Sequence, residues 1–364
     1  MQEVTTQPGP APGYPKSMLI VGVQFEKYRY HKGDGDMWPI TWAADNNLYG
    51  GAGDNMGSPM NFYRIEGDGP HHRVWLVNNL PVDPKKYCMV PGACPKGNGI
   101  KPAGLLGMDG MLYFAVECMN YGDNKAFNRQ RNLNGWIVTS KDWGVTWNCD
   151  ALPPDFFKER LASCHFLQFG KDYAGARDNY VYAYFPGIGD DGRSYWENGD
   201  YILLGRVPRQ RILERGAWEF CAGVDKANRP TWSADDGKAD PIFRYPRMCG
   251  EDHVSYNEGI KCYILGNYSF LDKQGVPRPL HQVPYPGEGA ERSQLTLFEA
   301  PEPWGPWSLF HRDDCWGTYG DYQPSFPTKL MSADGRQMVM VSAGTWDDYN
   351  FTTQRLMLVL GREP

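Results

Sequence analysis

Two aspartates, nine residues on either side of Asp45, are the first residues of this chain with chemistry to offer. They lie in Gly35-Asp36-Met37-Trp38-Pro39-Ile40-Thr41-Trp42-Ala43-Ala44-Asp45-Asn46-Asn47-Leu48-Tyr49-Gly50-Gly51-Ala52-Gly53-Asp54. Apolar runs flank the polar Asp45-Asn46-Asn47, the pattern of a β-hairpin. Folded about that turn, Asp36 and Asp54 meet at the open end. Opposed side chains there have Cβ atoms about 4.5–5.5 Å apart. Carboxylates that close repel, so one of them holds its proton more tightly. One protonated and one ionised carboxyl are the equipment of glycosidic-bond hydrolysis.

The elements that must position this pair recur along the chain. Four more strand–turn–strand segments follow, turning at Asp109-Gly110, near Ala176–Asn179, at Asn257–Gly259 and at Asp334-Gly335. Asp-Gly between apolar runs is a strong hairpin signal. Each hairpin is followed by further strand-like text, such as Asn61–Ile65, Gly135–Ser140, Tyr201–Val207, Gln294–Glu299 and Arg355–Leu360. A four-stranded unit repeated around a ring is a β-propeller. The expected fold is therefore all-β: one five-bladed propeller over residues 18–364, preceded by a flexible, proline-rich lead-in over residues 1–17. A large β-sandwich is the alternative. Arg209–Arg215 is the one stretch with a helical look and reads as a connector. Ser140-Lys141-Asp142-Trp143-Gly144-Val145-Thr146-Trp147 matches the Asp-box, S-x-D-x-G-x-T-W, which marks an outer hairpin of sialidase-like propellers. Its Ser and Asp cap a tight turn, so its expected role is structural. The arginine triad and Tyr/Glu pair of sialidases have no counterpart.

Laying the other hairpins on the first collects residues at one mouth of the ring. Glu117 and Asp252 join Asp36 and Asp54 as candidate catalytic acids. Trp38, Lys101, His165, Tyr184, His253, Asn267 and Gln323 are candidate substrate-binding groups. A one-residue slip in register would turn any of them to the other face. Each also has a structural reading: Lys101 as the neutraliser of Glu117, the histidines and Trp38 as core. Glu251-Asp252-His253 could hold a structural cation at the axis. No cofactor is required for the hydrolysis, and no metal ligand is assigned.

Composition limits the partners. Net charge is −6 with no basic block, which argues against nucleic acid. No apolar run reaches the roughly 18 residues of a membrane span, so membrane insertion is not expected. Thirteen Trp and 22 Tyr suit a polysaccharide or oligosaccharide that stacks on rings, although they also suit a β core. Nine cysteines without a CxxC pattern suggest an oxidising compartment, secreted or periplasmic, with Cys88–Cys94 the expected disulfide.

Three segments together resemble a known family. They are Asp36-Met37-Trp38-Pro39 with Thr41-Trp42-Ala43-Ala44-Asp45 and Gly53-Asp54; Val254-Ser255-Tyr256-Asn257-Glu258-Gly259-Ile260-Lys261-Cys262-Tyr263; and Ala300-Pro301-Glu302-Pro303-Trp304-Gly305-Pro306-Trp307. In order and spacing they resemble secreted five-bladed propellers, long classed as a domain of unknown function, that include endo-D-arabinanases. The resemblance covers about Asp36 to Leu360. It implies a glycoside hydrolase with an arabinanase-like architecture and an acidic pair at Asp36 and Asp54. Long loops at Pro81–Gly99 and Lys273–Glu291 depart from the arabinanases and would reshape the cleft. Two other functions fit the same fold: a polysaccharide lyase using His165, His253 or a Tyr as base, and a glycan-binding propeller without catalysis.

Overall fold

The computed structural model describes residues 13–55, 58–67, 71–80, 99–120, 131–148, 153, 155–272, 274–277, 292–316, 321–345 and 348–361. Among them every regular element is a β-strand or a single 3-10 turn. Strands β1 (Ile20–Phe25) and β2 (Tyr30–Lys32) come first. A four-stranded antiparallel meander follows: β3 (Asp36–Trp42), β4 (Leu48–Asn55), β5 (Ser58–Glu66) and β6 (Arg73–Leu80). The next meander is β7 (Gly99–Met108), β8 (Met111–Asn120) and β9 (Arg131–Ser140), with β10 (Phe157–Lys158) beside β9.

After it come β11 (His165–Phe166), β12 (Tyr180–Ile188), β13 (Ser194–Tyr195), β14 (Gly199–Pro208), β15 (Glu219–Val224), β16 (Pro230–Ser233) and β17 (Phe243–Cys249). Short β13 pairs with both β12 and β9, so strands β7 to β17 form one eleven-stranded sheet rather than two separate units. A four-stranded sheet of β18 (His253–Asn257), β19 (Cys262–Leu271), β20 (Arg292–Ala300) and β21 (Ser308–Trp316) follows. In the last sheet, β22 (Gln337–Thr345) pairs with β23 (Asp348–Leu360), whose other edge takes both β1 and β2.

The turns form where their residues demand. Asp45 accepts the Asn47 N–H at 3.0 Å, and Asn46 takes a φ of 71°. Asp109 and Gly110 both have positive φ between β7 and β8, the two-residue hairpin geometry that Asp-Gly favours. The Arg209–Arg215 connector is two short 3-10 turns, Arg209–Arg211 and Arg215–Ala217. The Asp-box is a closed turn. Ser140 Oγ accepts from Gly144 N at 2.8 Å, and Asp142 accepts from the Thr146 backbone at 2.9 Å and its hydroxyl at 2.6 Å. Trp147 is buried against Phe62 and Phe114.

The sequence expectation of a flexible lead-in stops short of Tyr14. That ring stacks on Phe243 at 4.8 Å and accepts the Arg244 N–H at 2.8 Å, and Ser17 donates to Glu299 at 2.8 Å. Cys88 and Cys94 lie outside the described residues. Cys118 is disulfide-bonded, whereas Cys164, Cys221, Cys249, Cys262 and Cys315 are free.

One buried amide ties the inner strands together. Gln168 accepts from Thr41 Oγ1 on β3 at 2.9 Å and donates to the Leu105 carbonyl on β7 at 2.8 Å. Its backbone bonds to both Val254 and Tyr256 on β18. The turn Ser332–Arg336 sits on the β18–β19 turn through Asn257 Nδ2, which donates to the Gly335 carbonyl at 2.9 Å. Tyr322 then reaches Asp36, so the final sheet touches the first. Removing the Gln168 side chain leaves buried partners without a bond, each costing about 1–3 kcal/mol. Gln168→Ala is expected to lose about 2–4 kcal/mol of stability in urea unfolding. A loss under 1 kcal/mol would show that the strands are held by apolar packing instead.

Candidate active site

The acidic pair is set by a bulge. Met37 pairs with Ala52 and Ile40 with Gly50, so β3 carries one extra residue there. Pro39 has no N–H for the ladder, and Met37 and Trp38 take φ of 76° and 49°. The slip places Asp36 opposite Gly53 rather than Asp54. Asp54, at φ 48°, brings its carboxylate back toward the same place. Both acids meet Lys101, whose Nζ lies 2.5 Å from Asp54 and 3.7 Å from Asp36. Those two oxygens are therefore no further apart than the sum of those lengths.

Their surroundings differ. Asp36 is 7% exposed, whereas the Asp54 side chain is 42% exposed. Burial raises the Asp36 pKa from 3.8 to about 6, with Asp54 adding to the rise and Lys101 opposing it. Tyr322 donates to Asp36 Oδ2 at 3.0 Å. Gly53 is required here: a Cβ would stand 2.7 Å from Asp36 Oδ1 and 3.0 Å from Lys101 Cδ. The segment Asp321–Gln323 clamps three partners in a row. Asp321 pairs with Arg29, Tyr322 with Asp36, and Gln323 Nε2 donates to Glu251 at 2.7 Å.

Beneath Lys101 lies a second carboxyl cluster. Glu117 is the cross-strand partner of Lys101 and is fully buried, as is Glu251. Glu251 accepts from Asn132 at 3.1 Å and Ser163 at 3.3 Å. Ser163 also bonds His165 Nε2 at 2.7 Å. Burial raises the Glu117 pKa to about 7 and lifts Glu251 well above the usual range.

The site residues expected from sequence divide accordingly. Asp36, Asp54, Lys101, Glu117 and Gln323 come together. His165 and His253 sit behind them with rings 4.8 Å apart, and burial keeps both neutral, His253 with a pKa of about 4. His253 is half-buried and lines a small cavity with Pro39, Leu105 and Gln168.

Four residues stand apart. Trp38 is 1% exposed, donates to the Gly35 carbonyl, and packs on Tyr63 and Phe351; it offers no face to a sugar. Tyr184 is buried with its hydroxyl on the Pro303 carbonyl. Asn267 is buried and bonded to Thr296. Asp252 is fully buried, and in the link between β17 and β18 it is its neighbour Glu251 that reaches the cluster. The sequence reading overlooked Tyr322 and gave Glu251 only a place in a possible cation site; each is the immediate neighbour of a residue it selected, Gln323 and Asp252. No group of three or more His, Cys, Asp or Glu able to hold a metal ion occurs among the described residues.

No protein-family model matches the sequence, and no curated protein is detectably similar. Solved structures are. A protein of Bacteroides ovatus, named provisionally as a hydrolase, overlaps 91% of this chain and 87% of its own at 13% identity and TM-score 0.53. The two chains share a fold. A GH43_1 enzyme of Xanthomonas citri overlaps 92% of this chain and 88% of its own at 11% identity, with a TM-score of 0.46. Among the described residues no helix is long and apolar enough to cross a membrane.

The elevated Asp36 pKa has a sign. The folded chain binds this proton more tightly than the unfolded one, so its stabilising share is present at low pH and is lost between about pH 4 and 6. Asp36→Asn, which never ionises, is expected to gain up to about 3 kcal/mol relative to the parent on going from pH 4 to 7.5. Urea unfolding at both pH values checks this; equal differences would place the Asp36 pKa in the ordinary range.

Proposed function

We propose that this chain is a secreted five-bladed β-propeller glycoside hydrolase that cleaves an arabinan-type polysaccharide at the mouth holding Asp36 and Asp54. The five-blade reading is supported by the meander count: the eleven-stranded sheet contains two meanders, joined by the two-residue β13. Successive meanders contact in chain order, and the last touches the first through Tyr322. The Asp-box favours the same architecture. The shared fold of a protein named a hydrolase and the resemblance of the three segments to endo-D-arabinanases support the activity. The bonded Cys118 suits an oxidising compartment.

The observation that carries the mechanism is one lysine held between two carboxyls in opposite environments. Environments that separate two carboxyl pKa values assign their roles. Asp36, with its raised pKa, is the general acid that protonates the leaving glycosidic oxygen. Asp54 is exposed and paired with Lys101; it is the carboxylate that attacks, or activates water for attack on, the anomeric carbon. Tyr322 orients Asp36, and Lys101 holds its ammonium against both acids. Because Asp36 must be protonated, kcat/KM falls above about pH 6. A lyase needs a base that reaches substrate; His165 is 1% exposed, and the half-buried His253 stands behind the acids.

Asp36→Asn is expected to lose about 10²–10⁴-fold on a polymeric arabinan but much less on an aryl glycoside, whose leaving group needs no proton. Asp54→Asn should lose both. Reducing-end release from an arabinan panel and aryl-phenolate release measure the two. The reverse pattern would exchange the roles, and wild-type turnover by both variants would end the proposal. Products absorbing near 230–240 nm without hydrolysis would indicate a lyase.

A further inference from the structure

Glu117 and Glu251 are buried together with little positive charge to hold them. Neither is exposed at all. Asn132, Ser163 and Gln323 turn donor groups to Glu251. Neither oxygen of Glu117 has a hydrogen-bond partner if both carboxyls are ionised. Two buried carboxylates side by side, with the Ser163 hydroxyl shared between them and no close donor to Glu117, would be very costly. A single proton on Glu251 cures both faults, since a protonated carboxyl donates one hydrogen bond. The groups around the pair are few. Lys101 faces it from β7, Cys164 and the neutral His165 from the segment entering β11, and Tyr268 from β19. Of these Lys101 alone is a cation.

We propose that Glu251 and Glu117 form a carboxylic acid–carboxylate pair holding one proton and one negative charge, and that this pair positions Lys101 and sets its charge against the catalytic acids above it. Glu117 and Glu251 are positioning residues in this account; neither touches substrate. The proposal rests on the hydrolase reading for its kinetic consequence alone. The shared proton exists whether or not the chain hydrolyses a glycan.

Geometry fixes how the charge acts. Glu117 is the directly opposed cross-strand neighbour of Lys101, and Lys101 reaches from it to Asp36 and Asp54. One charge below the ammonium leaves part of its field for the two aspartates. Two charges would draw it inward, and none would tie it to the aspartates more strongly. High pKa values for both glutamates agree with one retained proton.

Glutamine variants count the charges. Glu251→Gln supplies a permanent donor to Glu117 and keeps one negative charge, so the alkaline limb of kcat/KM should stay at its parental pH. The double variant Glu117→Gln/Glu251→Gln removes that charge. It should move the limb to lower pH by about one unit, because Asp36 then ionises more readily. A shift in Glu251→Gln as large as in the double variant would mean two charges, and no shift in the double variant would mean none; either overturns the proposal. An activity-independent reading is NMR of the protein labelled with carboxyl-¹³C glutamate. One glutamate should remain protonated at pH 7.5 in the parent, and its signal should vanish in Glu251→Gln. Absence of a protonated glutamate in the parent overturns the proposal even if hydrolysis is found, whereas its presence without hydrolysis removes only the kinetic role. A fall in parental Tm on dialysis against EDTA would mean that a cation, not a proton, holds the pair, and also overturns it.

Discussion

A single buried ammonium decides what this site can be. Lys101 is 3% exposed and stands within ion-pair reach of Asp36 and Asp54, directly across the strand pair from Glu117. A lysine taken out of water needs a counter-charge, and a carboxylate taken out of water needs a donor or a cation. Here the two requirements are met by the same few groups. That dependence reaches into the fold. Gly53 must lack a side chain for Asp36 and Lys101 to approach, and the bulge at Met37–Pro39 must add its residue for Asp36 to lie where it does. Backbone irregularity beside a reactive group is common at functional sites, where surrounding structure holds it in place.

Away from this site the polar structure is more regular. Gln168 binds β3, β7 and β18 through one amide and its own backbone, and the Asp-box seals an outer hairpin with hydrogen bonds among its own residues. Two kinds of buried polar network coexist. The Asp-box and Gln168 are closed, with donors matched to acceptors, and they serve rigidity. The carboxyl cluster is short of donors, so its state changes with protons. The unevenness marks the second network as the one that responds to protons.

The sequence made the architecture legible because each hairpin announces its turn. Asp45-Asn46-Asn47, Asp109-Gly110 and Asp334-Gly335 need unusual dihedrals that few other residues adopt, and they form turns in the structure. It did not make faces legible at the strand ends. The hairpin alignment put Asp36 opposite Asp54, and the bulge moved the register by one residue. The same uncertainty placed Asp252 in the cluster where Glu251 belongs, and it selected Gln323 while passing over Tyr322. Trp38, Tyr184 and Asn267 were chosen for what they could bind. Their burial depends on contacts distant in sequence, within one sheet for Tyr63 and Thr296 and beyond it for Phe351 and Pro303, that no local pattern encodes.

The pairing of β23 with β1 and β2 sets a timetable for the molecule. Ile20 pairs with Leu360, so β1 has no partner on this edge until β23 leaves the ribosome. At about 5–20 residues per second that interval is roughly 15–70 s. Through it, an unpaired strand edge and the apolar side chains of Ile20 and Val23 stay uncovered. Closure of the last sheet thus waits for β23, however early the middle sheets form. Protection during synthesis therefore falls to whatever receives β1 and β2, and these strands and β23 become one latch.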